Sequence, residues 1–324
     1  MTKVLIFGTG GVGCIYGYIL HKGGASVTTV CRTNYDAVAE HGITIRSEIF
    51  GRVHYAPVTV RSPEEARGPF DYVLVCSKAF PGTSALIKAG VGPETAIVLA
   101  QNGIGIEEEY ASAYPNNTII TGVVYLPTTQ VEPGIVEMGP LERFEIGTYP
   151  AHTSTASKAR AERLAEIWTA GGATCKVFED IQAQRWIKVS VNASWNPICA
   201  LTLCDDANFL RSSSQAEDMV QKVMKEVGSV AVAAGYPVVT DKVIEEQLER
   251  PRRRLVTGGK EPSMLTDIRH GRPIEVEAIV GNTLRIASRY GVPTPYLELL
   301  YTLGKGLNFA VVQSAEWKPI AKFE

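Results

Sequence analysis

A glycine-rich turn near the start of the chain constrains the fold more than any other feature. An apolar run at residues 4–7 leads directly into Gly8-Thr9-Gly10-Gly11-Val12-Gly13, and an apolar helical pattern continues over residues 12–21. The glycine pattern alone is weak evidence, but a strand, a glycine turn and a helix in this order are typical of the first unit of a parallel sheet. The sequence therefore predicts an α/β domain that begins with this turn.

The spacing of the glycines indicates what the turn does. Gly8 permits a tight turn, Gly10 lets the backbone approach a pyrophosphate, and Gly13 lets the helix pack closely on the strand. The helix N-terminus offers N–H groups and a positive dipole end to phosphates. We predict that residues 8–13 bind a dinucleotide. The alternative is a glycine loop that is merely flexible.

The end of the second predicted strand indicates which dinucleotide binds. An acidic residue at this place would bind the ribose 2′-hydroxyl of NAD. The strand at residues 27–30 is followed instead by Cys31-Arg32-Thr33-Asn34, with no carboxylate before Asp36. Because Arg32 suits a 2′-phosphate, the sequence favours NADP(H) over NAD. The alternative for Arg32 is an exposed arginine in a loop.

The pattern of apolar residues divides the 324-residue chain into two parts. Short apolar runs alternate with helical patterns in the first part, which is typical of a parallel sheet. Long helical periods follow, and the change falls near Glu179-Asp180. We predict a Rossmann-type α/β domain at residues 1–180 and an all-α domain at residues 181–324, with catalysis in the cleft between them.

The individual elements can be predicted from the same pattern. Buried strands are expected at residues 4–7, 27–30, 72–75, 97–99 and 118–122. Antiparallel strands joined by turns are expected in two further regions, residues 43–60 and 123–146. In the second part, helices are expected at residues 181–199, 215–234, 241–256, 274–290 and 296–309.

Composition narrows the class of partner. The formal net charge is −2, which provides no broad basic surface and argues against nucleic acid as the main partner. No uninterrupted apolar stretch is long enough to span a membrane. The six cysteines and five histidines are scattered without metal-ligand spacing, so we expect no metal and reduced thiols in a cytoplasmic protein.

Polar residues follow two more of the predicted strands. Lys78 comes shortly after the strand at residues 72–75, and Asn102 follows the strand at residues 97–99. Ligands of open α/β sheets lie outside the carboxyl ends of the strands. Lys78 could reach a phosphate or a carboxylate, and Asn102 can donate and accept near a nicotinamide. The alternatives are a solvated lysine and a turn asparagine.

Three polar residues recur at helical spacing in the second part. Lys188, Asn192 and Asn196 are each four residues apart, so they lie close to one face of an otherwise apolar helix. Embedded polar groups need partners, and a substrate is one candidate; an internally satisfied polar seam between the domains is the other. A lysine ammonium can stabilise and protonate the oxygen that gains negative charge when hydride reduces a ketone.

A last motif gives these features a family resemblance. Ser263-Met264-Leu265-Thr266-Asp267-Ile268 is followed by Glu275. Combined with the glycine turn, Lys78, Asn102-Gly103 and the Lys188 helix with its Asn196-Pro197 step, it makes nearly the whole chain resemble the ketopantoate reductase (2-dehydropantoate 2-reductase) family. The resemblance implies an NADPH-dependent reduction of a small 2-oxo acid, and it leaves a homodimer open.

The resemblance also implies roles for single residues. Lys188 corresponds to the general acid, and Glu275 corresponds to a glutamate that contacts the cofactor and helps to hold the lysine in place. Substrate ligands are implied at Asn102, Lys188, Asn192, Asn196 and Ser263, and nucleotide contacts at Gly8, Thr9, Gly10, Gly11, Val12, Gly13, Arg32, Lys78, Asn102 and Glu275.

The chain departs from the family pattern at two places on the substrate side. Asp206 lies near the place of a further asparagine, and Lys260 stands where the family often has asparagine three residues before the serine. Two alternatives therefore stay open. One is a reductase of another 2-oxo acid or an opine-type imine, and the other is an NADPH-binding regulator without turnover. A regulator would need no proton donor, so the presence of both Lys188 and Glu275 argues against it.

Overall fold

A computed structural model describes residues 1–313 of the chain, so the C-terminal end of the predicted second domain, residues 314–324, lies outside the described residues. The backbone contacts divide the chain into two compact units. The first unit contains Met1–Gln101 and Ile106–Ile181, and the second contains Asn102–Gly105 and the described residues from Gln182 to Gln313. The sequence did not predict that the four residues Asn102–Gly105 belong with the helical unit.

The first unit is built on an eight-stranded sheet, whose strands are β1 (Lys3–Phe7), β2 (Ser26–Val30), β5 (Val58–Val60), β6 (Tyr72–Val75), β7 (Ala96–Leu99), β8 (Ile119–Tyr125), β11 (Arg143–Tyr149) and β12 (Cys175–Val177). Their order across the sheet is β12-β11-β8-β7-β6-β1-β2-β5. The six strands from β8 to β5 in this order run parallel to their neighbours, whereas β11 runs antiparallel to β8. The five predicted buried strands are confirmed as β1, β2, β6, β7 and β8.

Burial on both faces explains why the central strands read as continuous apolar runs. All four residues of β6 and all four of β7 are buried, and Val4, Leu5 and Ile6 of β1 are fully buried. Five α-helices belong to this unit: α1 (Gly11–Lys22), α2 (Tyr35–His41), α3 (Thr83–Leu86), α4 (Glu107–Ala113) and α5 (Thr155–Ala170). Two short 3-10 turns, Pro63–Glu65 and Lys88–Gly90, complete it. The prediction of α1 is confirmed, whereas α5 was not predicted.

The two regions predicted to form antiparallel strands, residues 43–60 and 123–146, contribute to a second sheet. Its four strands are β3 (Ile43–Ser47), β4 (Gly51–Tyr55), β9 (Thr128–Glu132) and β10 (Ile135–Met138). Their order across this sheet is β4-β3-β10-β9. The pairs β3/β4 and β9/β10 are antiparallel, as predicted, but β10 pairs with β3 in parallel. Local alternation cannot indicate that two distant hairpins share one sheet, which is why the sequence did not predict it.

The second unit is helical, and the predicted fold class of an α/β unit followed by an all-α unit is confirmed. Its helices are α6 (Gln182–Thr202), α7 (Asp206–Ser212), α8 (Ala216–Ala233), α9 (Asp241–Thr257), α10 (Ser263–Arg269), α11 (Asn282–Tyr290) and α12 (Pro295–Gln313). Apolar residues from most of these helices form one buried cluster that includes Trp186, Val223, Leu265 and Leu297.

One predicted helix begins later than expected. The prediction ran from residue 274, but Ile274 and Glu275 precede the helix, and a π-helical turn over Glu277–Gly281 leads into α11. The backbone N–H of Ile274 donates to Oδ1 of Asn308 at 2.9 Å, so this donor is satisfied outside the helix. Glu275 therefore lies on the connection before the π-helical turn, and not on a helix face.

Two absences can be stated for the part of the chain that the structure describes. None of its helices combines the length and the apolar character needed to cross a bilayer. Within residues 1–313, no three or more His, Cys, Asp or Glu side chains are grouped as ligands for a metal ion. The six cysteines are free thiols, and burial raises the pKa of Cys14, Cys31 and Cys76.

Candidate active site

The glycine turn between β1 and α1 has little room for side chains at its two ends. Gly8 has φ +96°, and a Cβ there would lie 2.4 Å from the backbone nitrogen of Ser77. A Cβ on Gly13 would lie 2.2 Å from the carbonyl oxygen of Gly8. Because both obstacles are backbone atoms, the fold itself requires glycine at these two positions.

Gly10 differs from its neighbours. Its backbone is extended, with φ −85° and ψ −161°, and a Cβ there would meet no atom within 4 Å. The fold would therefore accept a side chain, and the open space lies at the N-terminus of α1, where unpaired N–H groups favour an anion. The turn fits the pyrophosphate of a dinucleotide, which would approach the backbone at Gly10.

Two buried hydrogen bonds tie the turn to the end of β2. Thr9 donates from Oγ1 to the carbonyl oxygen of Val30 at 2.8 Å, and Asn34 donates from Nδ2 to the carbonyl oxygen of Thr9 at 2.7 Å. Thr9 and Asn34 are 4% and 7% exposed. Asn34 was not predicted as a site residue, although an asparagine just past a strand end is a common way to hold a loop.

The two predicted nucleotide-side cations follow the strands on either side of β1. Arg32 comes two residues after the end of β2 and is exposed, and Lys78 comes three residues after the end of β6 and is half-buried. Since β2 and β6 both pair in parallel with β1, their carboxyl ends share the edge of the sheet that carries the glycine turn. The first unit therefore places Arg32, Lys78 and residues 8–13 at one edge.

In the second unit, α6 carries Lys188, Asn192 and Asn196 as predicted. Lys188 and Asn192 are half-buried and Asn196 is 4% exposed, while Trp186, Val189 and Ala193 are buried in the apolar cluster. The helix continues past Pro197 as far as Thr202, so the proline does not end it. The spacing of four residues thus brings an ammonium and two carboxamides to one side of a single helix.

Asn196 joins α6 to the start of α10. Its Oδ1 accepts hydrogen bonds from Oγ of Ser263 and from the backbone N–H of Met264, both at 3.1 Å. The carboxamide of Asn196 thus satisfies an N–H group at the beginning of α10, a position usually served by a local capping residue. Since Oδ1 is committed, Nδ2 is the atom of Asn196 that can donate to a ligand.

Asn102 and Glu275 complete the predicted set within this unit. Asn102 is half-buried and starts the segment Asn102–Gly105, which packs with the helical unit. Glu275 is 6% exposed and lies two residues before the π-helical segment. The second unit therefore contains Asn102, Glu275, Ser263 and the three polar residues of α6, while the first unit contains the glycine turn, Arg32 and Lys78.

Comparisons with known proteins cover both units. The family model described as "Ketopantoate reductase PanE/ApbA" matches residues 4–151, and "Ketopantoate reductase PanE/ApbA C terminal" matches residues 180–308. The chain belongs to the ketopantoate reductase family. The relationship to this family of oxidoreductases confirms the resemblance found in the sequence.

Curated relatives and solved structures match almost the whole chain. A crystal structure of 2-dehydropantoate 2-reductase from Methylococcus capsulatus is 33% identical, covers 98% of this chain and 99% of its own, and has a TM-score of 0.84. The 2-dehydropantoate 2-reductase of a Nostoc species is 27% identical and covers 92% of this chain and 93% of its own. A structure of D-mandelate dehydrogenase with NADH and anilino(oxo)acetate shares the fold, with a TM-score of 0.83. It is 23% identical and covers 96% of this chain and 100% of its own.

Asp206 and Lys260, the two residues that depart from the ketopantoate reductase pattern, are neighbours in the structure. Asp206 is 4% exposed, and its Oδ2 accepts from Nε of Arg254 at 2.8 Å while its Oδ1 accepts from the backbone N–H of Lys260 at 2.8 Å. Both carboxylate oxygens are thus used inside the protein. Desolvation and then the Arg254 guanidinium lower the pKa of Lys260, whereas the Asp206 carboxylate acts in the opposite direction.

Proposed function

We propose that the chain catalyses the NADPH-dependent reduction of 2-dehydropantoate to pantoate. The observation that carries the proposal is the set of Lys188, Asn192 and Asn196 on one side of α6, in a chain that belongs to the ketopantoate reductase family. An ammonium beside two carboxamides can bind an oxo acid and supply a proton. We further propose that the reaction takes place in the cytoplasm as a step of pantothenate biosynthesis.

The first unit is proposed to hold the nucleotide. Residues 8–13 would hold the pyrophosphate at the N-terminus of α1, and the open space beside Gly10 supports this assignment. Arg32 would pair with the 2′-phosphate, because a guanidinium forms strong charge-assisted hydrogen bonds with phosphate oxygens. Lys78 would add a second cation on the nucleotide side. When bound, NADPH would supply a hydride to C2 of the oxo acid.

Lys188 is proposed to act as the general acid. Negative charge grows on the C2 oxygen during reduction, and the Nζ ammonium would stabilise that charge and transfer its proton to the oxygen. Glu275 would contact the cofactor and help to orient Lys188. The product carries one more hydride and one more proton than the oxo acid, so the atoms and electrons balance.

The remaining polar residues are proposed to bind and orient the substrate. Asn102, Asn192 and Ser263 would contact its carboxylate and hydroxyl groups, and Asn196 would donate from Nδ2. Because Ser263 already donates to Asn196, these two side chains are held in one arrangement before the substrate arrives. Such preorganisation avoids part of the entropic cost of orienting the reactants.

The test is a kinetic comparison of oxo acids and nucleotides with the purified chain. Loss of NADPH absorbance is followed with 2-dehydropantoate, pyruvate, 2-oxoisovalerate and phenylglyoxylate, and each reaction is repeated with NADH. The proposal expects the highest kcat/KM for 2-dehydropantoate with NADPH. A higher kcat/KM for another oxo acid would reject the substrate, and a preference for NADH would reject the cofactor.

Lys260 favours a second candidate, a reductase of another 2-oxo acid or of an opine-type imine. This lysine lies three residues before Ser263, and desolvation and then the guanidinium of Arg254 lower its pKa. A substrate with an additional acceptor would suit this place. Steady-state kinetics of Lys260→Asn separate the candidates, because an enzyme built for 2-dehydropantoate should keep its kcat/KM or gain, whereas an enzyme that uses the ammonium should lose it.

A further inference from the structure

The segment Asn102–Gly105 lies between β7 and α4 in sequence, yet it packs with the helical unit. The chain passes from the first unit to the second after Gln101 and returns before Ile106. The side chain of Ile104 is 2% exposed and belongs to the apolar cluster of the second unit. Asn102, which begins this segment, is therefore carried by the same unit as Lys188.

Three hydrogen bonds hold the segment in place. Arg185 donates from Nη1 to the carbonyl oxygen of Gly103 at 2.9 Å, and Asn282 donates from Nδ2 to the carbonyl oxygen of Ile104 at 2.7 Å. The backbone N–H of Ile104 donates to the carbonyl oxygen of Ala278 at 3.2 Å. Two side chains and one backbone carbonyl thus satisfy three consecutive polar groups of a segment that is not part of any helix or strand.

At Gly103 the segment packs too closely on its neighbours to accept a side chain. Gly103 has φ +107°, and a Cβ there would lie 2.4 Å from the carbonyl oxygen of Ala278. Ala278 belongs to the π-helical turn over Glu277–Gly281, a type of turn that is often found at functional sites. The segment is therefore in direct contact with this turn, just before the helix that carries Asn282.

Arg185 connects the segment to the proton donor of the proposed reaction. It is 2% exposed and lies on α6, three residues before Lys188, so both side chains leave the same helix about one turn apart. A buried guanidinium is costly unless its N–H groups are used. Its hydrogen bond to Gly103 fixes the residue next to Asn102 relative to the helix of Lys188.

We propose that Arg185 and Asn282 are positioning residues that hold Asn102 at a fixed position relative to Lys188. This inference rests on the proposed function, because Asn102 is taken there as a ligand of the substrate. Neither Arg185 nor Asn282 needs to touch the substrate, since each acts through the backbone next to Asn102. A displacement of about 1 Å at a substrate ligand can lower catalysis by about 100-fold.

The kinetic test is a double-mutant cycle between each positioning residue and Asn102. Arg185→Met and Asn282→Ala are each expected to lower kcat/KM for the oxo acid by about tenfold or more while the Kd for NADPH stays within about twofold. In the Asn102→Ala background, the same changes should cost less than about twofold. An equal loss of kcat/KM in both backgrounds would overturn the inference.

Two further variants show whether an effect is specific. Arg185→Lys retains one donor for the Gly103 carbonyl and is expected to recover part of the loss. Arg285→Met is the matched control, since this exposed arginine on α11 lies three residues after Asn282 and pairs with Glu277 instead. A loss in Arg285→Met as large as that in Asn282→Ala would show that any change in this helix disturbs turnover, and would also overturn the inference.

Hydrogen exchange tests the same inference without any turnover. The amide of Ile104 is expected to exchange faster in Arg185→Met and Asn282→Ala than in the unmodified chain, and to be unchanged in Arg285→Met. Because exchange does not depend on a substrate, this result separates failure of the positioning role from failure of the proposed reaction. If exchange at Ile104 is unchanged in both variants while the fold is intact, the positioning role of Arg185 and Asn282 is refuted, even for an active enzyme.

Discussion

Replacing Gly10 with alanine separates what the fold requires from what a ligand requires. Gly8 and Gly13 are needed by the fold, because a Cβ at either would lie 2.4 Å or 2.2 Å from a backbone atom. At Gly10 a Cβ would meet nothing within 4 Å, and its φ of −85° is one that alanine adopts readily. The Gly10→Ala chain should therefore fold as the unmodified chain does.

The expected magnitudes follow from these contacts. A compatible glycine-to-alanine change stabilises a protein by about 0.4–1 kcal/mol, so the melting temperature should not fall. The added methyl group would occupy space that the phosphates are proposed to use. Loss of one hydrogen bond to a charged group costs about 1.5–3 kcal/mol, which corresponds to an increase of about 10- to 150-fold in the Kd for NADPH.

Isothermal titration calorimetry with NADPH, together with thermal unfolding, measures both quantities. Gly306→Ala is the matched control, because a Cβ at Gly306 of α12 also meets nothing within 4 Å and no ligand is proposed there. It should leave the Kd for NADPH unchanged. Tight NADPH binding by Gly10→Ala would refute the assignment of this turn to the phosphates.

Three further changes test the charged groups. Arg32→Ala should raise the Kd for NADPH by about tenfold and leave the Kd for NADH unchanged, and an equal change for both would exclude a 2′-phosphate contact. Arg254→Met should lower the free energy of unfolding by about 3 kcal/mol in urea, because it leaves Asp206 buried without its charge partner, and a loss below 1 kcal/mol would contradict this. Because the pKa of Lys260 is lowered in the fold, the free energy of unfolding of the unmodified chain should rise relative to that of Lys260→Gln as the pH rises through that pKa. A difference between the two chains that does not depend on pH would contradict this.

Local periodicity accounts for most of the predicted fold. The central strands could be predicted because burial on both faces makes them continuous apolar runs, and the long helices because one face packs into the core. Pairings between distant segments could not be predicted. The β3/β10 pair joins residues about 90 positions apart, and β5 joins the main sheet beside β2 even though it follows the β3/β4 hairpin.

The candidate site shows the same division between local and distant information. The spacing of Lys188, Asn192 and Asn196 was sufficient to place them on one side of α6. The contact of Asn196 with Ser263 spans 67 residues, and that of Arg185 with Gly103 spans 82, so no local pattern indicates either one. Asp206 and Lys260, two unrelated departures in the sequence, are neighbours in the structure.

The role of Lys188 is tested most directly by comparing turnover with nucleotide affinity in the Lys188→Ala chain. The account predicts that kcat with 2-dehydropantoate falls by about 100-fold or more, because the oxygen that gains charge loses its proton donor. The Kd for NADPH should stay within about twofold of its original value. A kcat that remains unchanged would contradict the assignment of Lys188 as the general acid, and with it the proposed mechanism.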